Sequence, residues 1–249
     1  MKLLLAALLC VLAMHVDACT LRMAPEQWPP YIYRSGDHLT GIDYELISAI
    51  MRQAGCTLKE EEEVPPARRQ LMFQQGRIDL LIAAFDTPER RGFARFSLPY
   101  RNETIGLFAL SHKQPRYRNI TSFNALTDLG SSVLTPRVGF YGIDYERALP
   151  KLDAHGQRST FSNFEQGIKM LKAGRADLIM GDVLALRHAA RNLDVQIEAL
   201  PFVPYHAPVH MMLNTASTTV EQLARINQAI TQLEQNGTLR AIRARYGID

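Results

Sequence analysis

The chain has 249 residues, with 28 Lys and Arg against 25 Asp and Glu and a formal charge of +3. Its basic residues are scattered rather than gathered into a stripe, which argues against nucleic acid as a partner. Hydrophobic residues make up 47% of the chain, enough for one large core or for two lobes each with its own.

At the N-terminus, Lys2 precedes the apolar run LLLAALLCVLAM, which is too short to span a bilayer, and Val16-Asp17-Ala18 ends on the small residue that signal cleavage needs. Residues 1–18 are expected to be a secretory signal, leaving an exported, soluble chain. Cys10 leaves with it. Cys19 and Cys56 remain, each opening the tripeptide Cys-Thr-Leu at the start of a predicted strand. If those strands lie side by side and parallel, the sulfurs start level and a disulfide is expected. Two buried thiols, or a lipid on Cys19, are the alternatives.

The segment GIDYELISAIMRQAG is apolar at Ile42, Leu46, Ile47 and Ile50, a helical spacing, and stops at Gly55. A strand from Cys56, a helix through PARRQLMFQQG and the strand IDLLIAAF follow. The phrase at 71–85, LMFQQGRIDLLIAAF, returns at 168–182 as IKMLKAGRADLIMGD. In both, an amphipathic helix stops at glycine, Gly-Arg-x-Asp makes the turn, and an apolar strand runs to charged residues. The alternation predicts an α/β fold with mostly parallel sheets, and the repeat points to two lobes on one plan.

Open α/β sheets bind ligands at the carboxyl ends of their strands, and both phrases place charge there. After the first, Asp86 or Thr87 can cap a helix whose first turn holds Pro88, Glu89 and Arg90, an anion-reading group at a helix start. After the second comes Asp182. An arginine and a carboxylate at equivalent edges would fit a zwitterion. Taken singly, Arg90 could pair with Asp86 or Glu89 on the surface, and Asp182 could simply cap the following helix. Of the histidines, His206 and His210 alone have a metal-like spacing. A proline interrupts it and no third ligand is adjacent, so no metal or other cofactor is expected.

Taken together, WPPY, GIDYELISAI, GRIDLLIAAFDTPERR, FSLPY, VGFYG, GRADLIMGD and the terminal INQAITQLEQNGTLRAIRARYG resemble, in order and over essentially the whole mature chain, the periplasmic solute-binding proteins of the polar-amino-acid ABC-transporter type. The resemblance implies two α/β lobes, each a mostly parallel sheet flanked by helices, joined by two crossing strands, ETIGLFAL and PVHMMLN. Lobe one would comprise residues 19–109 plus 210–249, and lobe two residues 110–209. Arg90 would grip a ligand carboxylate and Asp182 its ammonium. Trp28 would stack on the ligand with Tyr31 nearby, and Arg68 would form a pocket wall able to read a second acidic group. Phe85, Tyr141 and Asp144 fall at further ligand-lining positions. Ala83, Ala84 and Phe85 stand where relatives usually carry hydroxyls, as do Ile143 and Asp144 in the second lobe, so the supporting hydrogen bonds differ. The implied protein is a periplasmic monomer, not an enzyme, that carries a small amino-acid-like solute to an inner-membrane ABC permease. A transporter-independent sensor or scavenger and a cyclohexadienyl-dehydratase-like enzyme, with Asp144 or Asp182 as its acid, are the alternatives on the same fold.

Overall fold

The computed structural model describes residues 19–248; the expected signal segment lies outside the described residues. The first unit runs β1 (Cys19–Met23), a hairpin of β2 (Tyr33–Ser35) and β3 (His38–Thr40), α1 (Ile42–Ala54), β4 (Cys56–Glu60), α2 (Pro66–Gln74), β5 (Leu80–Ala84) and the short α3 (Pro88–Arg91). The predicted helix is α1: Ile42, Leu46, Ile47 and Ile50 are all buried, and Gly55 ends it in the left-handed conformation. Strands β1 and β4 pair in parallel with Cys19 opposite Cys56, and the two sulfurs form the expected disulfide. The bridge closes a loop with a sequence separation of 37. Replacing both cysteines by serine is expected to lower stability by about 3–4 kcal/mol. Urea unfolding checks this, and an unchanged midpoint would reject it.

A long strand, β6 (Ala94–Leu110), then leads through a 3₁₀ turn into the second unit: α4 (Phe123–Asp128), β7 (Val133–Pro136), α5 (Ile143–Ala154), β8 (Arg158–Phe161), α6 (Phe164–Lys172), β9 (Leu178–Asp182), α7 (Val183–Asn192) and β10 (Ile197–Ala199). The return strand β11 (Tyr205–Asn214) lies antiparallel to β6, from Asn214 opposite Ala94 to Tyr205 opposite Ile105, with bulges around His210. These are the two crossing strands, each longer than its predicted apolar core. Strand β7 pairs in parallel with β8 and β9, whereas β6 and β11 join their sheet neighbours antiparallel.

The repeated phrase is repeated in structure. Gly76 and Gly174 both turn the chain at φ 68°. Asp79 accepts from the Arg22 N–H at 2.8 Å, and its own N–H returns a bond to the Arg22 carbonyl. Asp177 does the same with Ser132, at 2.9 Å. Each aspartate therefore ties the start of its strand to the first strand of its own unit, which satisfies backbone groups that the turn would otherwise leave unpaired.

Alternation along the strands sorts the second unit's core to the two faces of its sheet. Ile105, Leu107, Val133, Leu178 and Met180 pack on one side, and Phe108, Leu134 and Ile179 on the other with Leu186 and Ile168. The first unit's core takes Leu21, Leu46, Ile47 and Ile50, but also Leu213, Ile226 and Ile230. Its last layer is thus C-terminal: α8 (Val220–Gln235) and α9 (Thr238–Arg245). Arg225 of α8 donates to the Ala54 carbonyl at the end of α1, and Arg243 of α9 donates to the Tyr100 carbonyl. No helix among the described residues is long and apolar enough to cross a membrane.

Candidate ligand-binding site

A cleft of about 600 Å³ lies between the units and takes its lining from both, including Trp28, Arg69, Phe85, Arg90, Glu103, Phe140, Tyr141 and Asp182. Strand ends β5 and β9 supply the two groups that the repeat singles out. Thr87, rather than Asp86, caps α3, its hydroxyl accepting from the Arg90 N–H. Asp86 is taken up by Arg91 through two bonds of 2.7 Å. Arg90 is left half-buried with Nη1 donating to the Phe85 carbonyl at 2.9 Å, and it has no ion pair among the described residues. Burial holds its pKa below the usual arginine value. A cation that is partly desolvated and lacks an anion is a ready receptor for one.

Asp182 is buried. Oδ1 accepts from the Ala185 N–H at 2.8 Å, capping α7, and Oδ2 accepts from the Tyr31 hydroxyl at 2.9 Å. Capping and cleft lining are therefore roles of one side chain. Burial pushes its carboxyl up to about 6 against the pull of Arg101. Tyr31 itself belongs to the loop after β1. Gly41 at φ 111° lets the start of α1 lie against that loop, since a Cβ there would meet the Tyr31 carbonyl at 2.5 Å. Trp28 stacks on Tyr31 with ring centroids 4.4 Å apart, and its buried Nε1 has no partner. Phe85 packs edge-on against Tyr205 and Phe140. The Tyr141 hydroxyl donates to the Val138 carbonyl at 2.7 Å, and burial raises its pKa. Ala83, also in the lining, holds φ at 50°, a strained conformation for alanine of the kind that gathers at functional sites.

Three expected residues are outside the lining: Tyr31 is buried behind it, reaching the cleft through its bond to Asp182, and two others lie elsewhere. Arg68 is exposed and does not line the cleft; its neighbour Arg69 does. One residue turns the chain about 100° around a helix, and Arg69 lies four before the fully buried Phe73, on the inward face. Arg69 pairs with Glu26 at 2.5 Å and keeps a buried Nη1 without a partner. Asp144 is also outside the cleft, 72% exposed at the start of α5 and 3.7 Å from Arg147. The pentapeptide Gly-Ile-Asp-Tyr-Glu opens both α1 and α5. At α1, however, Asp43 is fully buried on Arg101, while at α5 the same residue faces solvent. His206 bonds Thr104 and His210 bonds the Ser97 carbonyl, both from within β11.

Sequence reasoning missed the charge cluster at the floor of the cleft. Arg101 on β6 is fully buried, donates two bonds of 2.6 and 2.9 Å to Asp43 and one of 3.2 Å to Glu103, and lies 4.0 Å from the centre of the Tyr31 ring. Glu103 lines the cleft, and burial pushes its carboxyl up to about 8. The available signal was period two, which sets Arg101 and Glu103 on the same face of β6 as the buried Ile105 and Leu107.

Two α/β units joined by paired crossing strands, with a charged cleft between them, define a two-lobed ligand-binding protein. Residues 21–249 match the family described as bacterial extracellular solute-binding proteins, family 3, and the chain belongs to that family. It is 24% identical over 234 residues to the amino-acid-binding protein AabA of Dichelobacter nodosus, covering 91% of this chain and 86% of that one. Among solved structures it is similar to an ancestral arginine-binding protein bound to arginine (TM-score 0.75, 22% identity, 92% and 98% of the two chains). It is also similar to the ancestral amino-acid-binding protein AncCDT-1, a precursor of cyclohexadienyl dehydratase (TM-score 0.73, 20% identity, 91% and 94%).

Proposed function

We propose that the cleft holds a small amino-acid-like zwitterion, with Arg90 on the carboxylate and Asp182 on the ammonium. The chain would then act as a periplasmic, monomeric carrier that hands its solute to an inner-membrane ABC permease, without turnover. The observation that carries this reading is the pairing of opposites: a half-buried arginine with no ion pair among the described residues and a buried carboxylate, both lining one cleft. Lobe one would take residues 19–109 plus 210–249 and lobe two residues 110–209, a division supported by the C-terminal packing against α1. Closure of the lobes would be a shift toward the state in which ligand touches both walls. Trp28 and Phe85 offer the ligand aromatic faces, Tyr141 encloses it, and Tyr31 supports Asp182 from behind the lining. Two unpartnered donors on described residues of the cleft lining, Arg69 Nη1 and Trp28 Nε1, favour a ligand whose side chain carries an acceptor, such as a carboxylate or an amide.

Calorimetry against amino acids, their α-amides and their deaminated acids tests the assignment. The wild type is expected to lose affinity for both kinds of analogue. In Asp182→Asn the preference for an amino acid over its deaminated acid should shrink markedly, while α7 keeps its cap because Asn caps about as well as Asp. Full discrimination by Asp182→Asn would end the ammonium assignment. Conversion of a bound compound, followed by NMR, would replace the carrier reading with an enzymatic one.

A further inference from the structure

Two carboxylates bond one guanidinium at the floor of the cleft, and a third is linked to them through a tyrosine. Asp43 on α1 holds two of the Arg101 bonds, Glu103 holds the third, and Asp182 reaches the cluster through Tyr31. Geometry sets Glu103 and Asp182 side by side: Asp182 pairs with Ile105 across β6 and β9, and Glu103 is two residues before Ile105 on the same face. The two charges raise each other's cost, since Asp182 is among the groups that disfavour ionised Glu103. Around them, Tyr31 and Tyr100 surround Arg101, and Tyr141 lies close enough to feel Glu103, Asp182 and Glu26. The other cations in the lining are Arg137, Arg69, which pairs with Glu26, and Arg90, which bonds the Phe85 carbonyl; none of them has an ion pair with these carboxylates among the described residues. Arg101 therefore neutralises one carboxylate of three. Buried carboxylates in excess of cations must take up protons or a cationic partner.

We propose that Glu103 joins Asp182 in a two-carboxylate socket for the ligand's cationic group, the entering cation replacing a proton that Glu103 holds in the empty cleft. The inference rests on the cation end of the zwitterion reading above and adds a residue and a proton to it. The balance is simple. An ammonium enters with its charge, the Glu103 O–H bond breaks, and the proton leaves to water, so the net charge of the cluster is unchanged. The pH sign follows. A carboxyl that keeps its proton in the folded state above the ordinary carboxylate range stabilises the fold fully only at low pH. That contribution is lost as pH rises through the folded value near 8.

Two measurements on the ligand-free full chain test this. In protein carrying carboxyl-labelled glutamate, one glutamate signal is expected to be that of a neutral acid at pH 7 and to be missing from Glu103→Gln. Methylammonium chloride should shift this signal to the carboxylate position, and potassium chloride at the same strength should not. Glu103→Gln should weaken methylammonium binding by about tenfold to a hundredfold, the range for losing one charge-assisted hydrogen bond. Separately, the melting temperature of the wild type should fall between pH 6 and 9 more steeply than that of Glu103→Gln. A Glu103 already ionised at pH 7, or one that answers both salts alike, overturns the proposal. Methylammonium acting as expected while no amino acid binds would reject the zwitterion reading alone.

Discussion

Arg90→Ala is expected to weaken amino-acid binding by about 2–5 kcal/mol, roughly thirtyfold to several thousandfold, while leaving the fold intact. The binding loss follows from the site. If the ligand carboxylate is drawn out of water against Arg90, removing the cation strands it beside Phe85 and Tyr141 with no charge to answer. The fold should survive because Arg90 gives the protein little internally: one bond to the Phe85 carbonyl and no ion pair among the described residues. The Asp86–Arg91 pair that flanks it stays in place. Calorimetry with a panel of amino acids, beside circular dichroism melting, separates the two effects. Unchanged affinity would show that Arg90 only decorates a helix start, and a collapsed melting curve would show that it is structural.

Arg101→Met should do the reverse, lowering stability by about 3–5 kcal/mol. The guanidinium is wholly buried and makes two bonds to Asp43, itself fully buried. Deleting it leaves that fully buried carboxylate without a counter-charge. The penalty is the cost of the orphan rather than the worth of the pair. The double variant Arg101→Met, Asp43→Leu should therefore recover much of the loss. Denaturant unfolding of the single and double variants reads this directly. A loss under about 1 kcal/mol for the single variant would mean that Asp43 finds another partner.

What could be read from the sequence was what the chain settles locally. Cys19 and Cys56 open identical tripeptides in adjacent parallel strands, so the bridge follows from register alone. That Arg90 and Asp182 would line one cleft could be anticipated because both sit at carboxyl ends of strands, Asp182 as the last residue of β9 and Arg90 in the helix that follows β5. Arg68 was one residue out because the phase of α2 is fixed by what Phe73 packs against, and helical spacing from Phe73 would have chosen Arg69. Asp43 and Asp144 show the limit of local reading, since identical pentapeptides place one aspartate in the core and the other in water. Only the arrival of Arg101 over α1 separates them, and no such partner meets α5. Glu103 needed the pairing of β6 with β9, a register set by residues about eighty positions apart.

The closing of the first lobe by α8 and α9 also governs when it can form. Glu45, in the first turn of α1, bonds both Arg245 and Tyr246, 200 and 201 positions further along. A growing chain therefore has its early strands and α1 in hand long before the surface they need is synthesised. Contacts of such separation are slow to form, because a long loop must be closed before any of them is gained. Until then Leu46, Ile47 and Ile50 lack the Ile226 and Ile230 layer, and the apolar face of α1 stays open. On the proposed division the second lobe is drawn from one continuous stretch and has no such wait. The expected order of assembly is therefore middle before ends, with the two walls of the cleft forming at different times.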